Sequence, residues 1–96
     1  MMMDQAKAMM KMKKLQKELA QTIIEADAGD GAVVIRINGE QKLKGVSIDP
    51  TAIDLDDIEE LENWVSEAFK KAVEESQRLA QEKMKPMLGS LGNLGM

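Results

Sequence analysis

Residues 31–50 read GAVVIRINGEQKLKGVSIDP, and the phase of the apolar side chains in this stretch decides the fold. Val33, Ile35 and Ile37 fall on one face of an extended chain and Val34 and Arg36 on the other, the two-residue period of a half-buried strand. Asn38-Gly39 between two such runs predicts a hairpin with a type I′ turn, which needs positive φ at both central positions. Beyond it, Leu43 sits in odd phase while Val46 and Ile48 sit in even phase. The apolar face would flip unless one residue is inserted at Lys44-Gly45, so a bulge at Gly45 is expected. Asp49 and Pro50 stop the strand, because proline donates no ladder hydrogen bond.

Upstream, Thr22, Ile24, Ala26 and Ala28 alternate with Ile23, Glu25 and Asp27, an earlier strand that reverses at Gly29-Asp30-Gly31. Residues 4–22 contain neither Gly nor Pro, and Ala8, Met12, Leu15, Leu19 and Thr22 recur at helical spacing. A helix of that length spans roughly 28 Å, so part of it must extend beyond the body or pack on another chain. Downstream, Asp54 is placed as an N-cap with Asp57 at the third helical position, and Ile53 and Ile58 as a hydrophobic staple. Ile58, Leu61, Val65, Ala68, Ala72, Ser76, Leu79 and Lys83 then share one face of a second helix, widened by Trp64, Phe69, Val73 and Ala80 and expected to end at Pro86. The reading is α+β: a long N-terminal helix, a three-stranded antiparallel sheet and a long C-terminal helix. Residues 1–86 form one domain, and residues 87–96 a flexible Gly/Leu/Met tail.

A chain of 96 residues without cysteine has a small core and nothing to staple it, which favours oligomerisation. Two long apolar stripes exceed what a three-stranded sheet can cover, so a homodimer is expected. No apolar run approaches the length that crosses a bilayer, and no secretion signal opens the chain, which places it in the cytosol with no membrane role.

Histidine is absent as well, which removes the usual general base and the commonest metal ligand. Ser47, Ser66, Ser76 and Ser90 have no imidazole partner, and no phosphate loop is present. The chain reads as a non-enzyme with no catalytic residue, cofactor, metal or small-molecule substrate. Asp54, Asp56, Asp57, Glu59, Glu60 and Glu62 lack the spacing of a calcium loop and complement the positive end of a helix dipole.

The net charge is −4, yet Lys7, Lys11, Lys13, Lys14 and Lys17 crowd the first helix. They are expected as a basic ridge opposite the apolar stripe, suited to a phosphate backbone contacted without reading bases. A solvated face that keeps a Met-rich helix soluble is an equally good account. Lys71, Arg78 and Lys85 repeat every seven residues and could form a second stripe, although Glu67 and Glu74 offer Lys71 and Arg78 ordinary intrahelical ion pairs.

The order of a Lys/Met/Gln-rich helix, the residue 31–50 hairpin, an acidic cap and an amphipathic helix resembles the YbaB/EbfC family of bacterial nucleoid-associated proteins. Gly31, Val33, Ile35, Asn38, Gly39, Val46, Ile48, Asp49 and Pro50 carry the resemblance. It implies a tweezer-shaped homodimer in the cytoplasm, associated with the nucleoid and binding double-stranded DNA, with a part in nucleoid organisation and gene regulation. The matched motif is structural, so the lysine ridge stands beside it as a separate inference. The rival reading is a protein-binding adaptor that uses Met/Leu-rich helix ends and the tail, with no direct DNA binding. A carboxylate-based metal enzyme comes third.

Overall fold

A computed structural model describes the backbone of residues 2–94 and the side chains of residues 5–86. The order is α1 (Met2–Gln21), β1 (Ile23–Ala28), β2 (Val33–Asn38), β3 (Leu43–Ile48), a 3-10 turn (Pro50–Ala52) and α2 (Ile58–Leu94), the expected α+β succession.

The strands pair antiparallel with β2 in the centre. Ile24 and Ala26 face Ile37 and Ile35 across one ladder, and Val46 and Ile48 face Ile35 and Val33 across the other. Directly opposed residues share a face, so these side chains make one inner surface. The register slips between Arg36, opposite Gly45, and Ile37, opposite Leu43, leaving Lys44 as the extra residue. The bulge falls at the Lys44-Gly45 step that the phase change demanded, with Lys44 rather than Gly45 as the unpaired residue, and returns Leu43 to the inner face. On the outer face Arg36 reaches both neighbouring strands, donating to Glu25 Oε1 at 2.6 Å and to Ser47 Oγ at 2.9 Å.

The β2–β3 hairpin forms, but not through a type I′ turn at Asn38-Gly39. Asn38 closes β2, and the positive φ falls on Gln41, at 67°. The Asn38 side chain organises the connection by accepting from the N–H groups of Glu40 and Lys42, both at 2.9 Å. Gly39 answers a different need: a Cβ there would lie 2.7 Å from the Leu19 carbonyl oxygen, to which the Gly39 N–H donates. The β1–β2 reversal follows expectation, with φ of 64°, 54° and 88° at Gly29, Asp30 and Gly31.

The end of α1 is tied down by its own orphan carbonyls, which any helix must satisfy. Thr22 Oγ1 donates to Glu18 O at 2.7 Å, Gly39 N–H to Leu19 O at 2.7 Å and Asn38 Nδ2 to Ala20 O at 3.2 Å. One hairpin end thus serves as the C-cap of the first helix.

Along α2, Ala68, Ala72 and Ser76 are fully buried at four-residue steps. Their small side chains let the helix lie close on Val33, Ile35 and Ile37, and each of those contributes roughly 1.5–3 kcal/mol by burial. The core is completed by Ala28, with Ile24, Ala26, Leu61, Trp64, Val65 and Val73 at its margin. α2 covers β1 and β2. The inner face of β3 is left open, with Leu43, Val46 and Ile48 exposed by 57%, 48% and 45%.

Both ends of α2 differ from expectation. The N-cap is Asp57, whose Oδ1 accepts from Glu60 N–H at 3.2 Å, whereas Asp54 instead caps a preceding turn by accepting from Asp56 N–H at 2.9 Å. A turn closed by the Asp57 N–H donating to Asp54 O at 3.0 Å takes up residues 54–57, where the first helical turn was expected. At the other end the helix passes through Pro86 to Leu94, at the cost of one backbone hydrogen bond.

Candidate nucleic-acid interface

The lysines of α1 stand on a helix that leaves the body. Residues 5–14 are exposed throughout, and burial begins only at Leu15 and Leu19. α1 joins the sheet at its Asn38 end, where Ser76 Oγ donates to Asn38 O at 2.9 Å. Beyond Ser76, α2 therefore departs from the same end as α1, antiparallel to it. The two helices meet through Lys83 Nζ, 3.9 Å from Glu18 Oε2. They make one arm of a molecule that measures 65 by 23 by 15 Å.

Lys7, Lys11, Lys13, Lys14 and Lys17 are all exposed, yet they do not form one ridge opposite the apolar stripe. At 3.6 residues per turn, Lys7, Lys11 and Lys14 make one row, and Lys13 and Lys17 lie about 100° round the helix. Lys11 and Lys14 border the stripe itself, lining a shallow cleft of about 210 Å³ with Leu15, Glu18 and Lys83. Lys83 was read from sequence as part of the packing face of α2, and that placement was the signal for its position against α1.

The second lysine stripe is divided. Lys71 Nζ donates to Asp27 O at 3.2 Å and lies 3.4 Å from Glu67, toward the far end of the sheet. Arg78 is held by Glu75 at 2.7 Å, and that hydrogen bond raises its pKa above the ordinary arginine value. Its partner is thus Glu75, three residues before it, rather than Glu74. Lys85 is exposed on the arm. The structure therefore brings Lys85 to the same arm as the α1 lysines and leaves Lys71 at the sheet.

The acidic residues occupy the opposite end. Trp64 packs on Gly29, so close that a Cβ at Gly29 would come within 2.6 Å of the ring, which places the start of α2 at the Gly29 end of the sheet. Asp57, Glu59, Glu60, Asn63, Trp64 and Glu67 line an open hollow there. Among the described residues no three His, Cys, Asp or Glu side chains converge to hold a metal ion, and no helix is long and apolar enough to cross a membrane. Asp49 sits in a turn, where the hydroxyl and N–H of Thr51 donate to its carboxylate and hold its pKa below the ordinary value. The side chains of residues 87–96, which the adaptor reading needs, lie outside the described residues.

A solved structure of an uncharacterized protein from Helicobacter pylori has the same fold, with a TM-score of 0.64 at 21% identity over 95% of this chain and 99% of that one. A nucleoid-associated protein of Chloroflexus aurantiacus is 40% identical over 83 residues, covering 86% of this chain and 83% of the relative. One from Saccharopolyspora erythraea is 41% identical over 91 residues, covering 94% and 78%, and one from Agrobacterium fabrum 40% identical over 91 residues, covering 94% and 85%. The profile of the YbaB/EbfC DNA-binding family matches residues 1–91, the two helices as well as the sheet between them, and the chain therefore belongs to that family.

Proposed function

We propose that this protein is a homodimeric, nucleoid-associated DNA-binding protein of the cytoplasm that grips double-stranded DNA by its phosphates, without catalysis, and so contributes to nucleoid organisation and gene regulation. The observation that carries the reading is the projecting α1, with five exposed lysines at the end of the molecule remote from the acidic start of α2. That separation answers the objection raised by a net charge of −4: the acidic head stands several Debye lengths from the arm at physiological salt, where its repulsion is screened. Lys85 adds to the arm, which α2 carries on past Pro86 to Leu94.

The dimer is supported by the open inner face of β3. Leu43, Val46 and Ile48 are exposed there, and Ile58 and Phe69 are exposed on α2. The β3 face is apolar surface left open in a chain with a small core, and a second copy laid on it would carry a second arm.

Changing Lys7, Lys11, Lys13, Lys14 and Lys17 together to glutamine is expected to abolish the shift of a duplex in gel electrophoresis at low salt. The circular dichroism should be unchanged, since none of the five is buried. Full affinity in that variant would remove α1 from the interface.

A further inference from the structure

The cleft between α1 and α2 points to a function for a residue that no lysine pattern singled out. We infer that Lys11, Lys14 and Lys83 form a clamp that seats one DNA phosphate between the two helices of the arm, with Glu18 as the resident anion that the phosphate displaces. The inference rests on the DNA-binding reading and adds to it a defined seat and a built-in competitor.

Three lysines and one glutamate line the cleft together with the largely buried Leu15, so the residues that border it carry net positive charge. Lys83 comes from α2 and the other two lysines from α1. A phosphate held there bridges the helices, which a row of lysines on α1 alone cannot do. The Lys83–Glu18 pair is long, at 3.9 Å, and both side chains are nearly half exposed, at 47% and 46%. An ion pair of that kind is weak in water, so exchanging the carboxylate for a phosphate costs little and gains a more highly charged anion. Among the described residues the Glu18 carboxylate has no partner besides Lys83, and its backbone carbonyl, not its carboxylate, takes the Thr22 hydroxyl. It is therefore free to leave. Lys7, Lys13 and Lys17 lie outside the cleft and make independent contacts.

The test is the salt dependence of duplex binding by fluorescence anisotropy for four variants of the full chain. Lys83→Gln should lower the slope of log affinity against log salt by about 0.9 for each arm engaged, one phosphate contact per arm. Lys83→Arg should keep the wild-type slope. Glu18→Gln should tighten binding roughly twofold to fivefold at low salt by removing the competitor. Lys70→Gln, exposed on α2 away from the cleft, should leave the slope nearly unchanged. If Lys83→Gln matches wild type, or if Lys70→Gln lowers the slope as much, the clamp is overturned while DNA binding by the arm stands. Glu18→Gln binding no tighter than wild type overturns the competitor. A wild-type protein that does not bind duplex at low salt overturns the clamp and the reading beneath it together.

Discussion

Every polar atom of Asn38 is engaged. Its N–H donates to Lys42 O at 3.0 Å, its carbonyl accepts from Gln41 N–H at 3.0 Å and from Ser76 Oγ at 2.9 Å, its Oδ1 takes two turn amides, and its Nδ2 reaches Ala20 O. The residue is almost completely buried, and losing the side chain takes the partner from three part-buried backbone groups at once. Asn38→Ala should cost about 2–4 kcal/mol. Ser76→Ala should cost about 1 kcal/mol, because the Asn38 carbonyl keeps its bond from Gln41. Urea denaturation with unchanged m-values measures both, and equal losses would contradict the separation of roles. Asn-Gly was legible in the sequence as the marker of a hairpin at this place. What it does there was not, because the type I′ reading treats the dipeptide as a local conformation. Here a helix eighteen residues away in sequence presses on Gly39, and Asn38 spends its side chain on that helix and on the turn.

At the scale of elements, the strands were the most legible, since inner and outer residues alternate and a phase error shows at once; the Lys44 bulge could be placed from Leu43 and Val46 alone. Helix ends were less so. Residues 50–57 offer Asp54, Asp56 and Asp57 as caps, and only the path of the chain out of β3 selects among them. Pro50 starts a 3-10 turn, Asp54 closes the next turn, and the helix waits for Ile58. Asp57→Ala should therefore lower stability by about 1 kcal/mol, the usual cost of a lost N-cap. Asp54→Ala should cost clearly less, because its bonds lie within an exposed turn. Thermal melts of the two variants decide the matter, and a larger loss at Asp54 would restore the earlier start. The arm was half legible: the length of α1 announced that it must project, but its pairing with α2 depends on where Ser76 meets Asn38. That contact joins residues 38 apart in sequence, beyond the reach of any local pattern, and it is why Lys83 was missed as a site residue.

For the whole molecule, the governing fact is that α2 is one helix wide and the sheet is three strands wide. β1 and β2 are covered, and β3 offers Leu43, Val46 and Ile48 to solvent, the surface on which the proposed dimer would close. Val46→Asp should shift the protein toward monomer in sedimentation at micromolar concentration and weaken DNA binding at least tenfold, because a single arm replaces two. A dimer that persists in this variant would move the interface away from β3. The central claim is that paired lysine arms hold the duplex by its backbone, and the most direct measurement is the wild-type affinity, as a function of salt, for two duplexes of unrelated sequence. The expected result is one steep line for both: with roughly six phosphate contacts, affinity falls about 10³-fold between 50 and 200 mM salt. Binding that ignores salt, or that survives on one duplex and vanishes on the other, would contradict it.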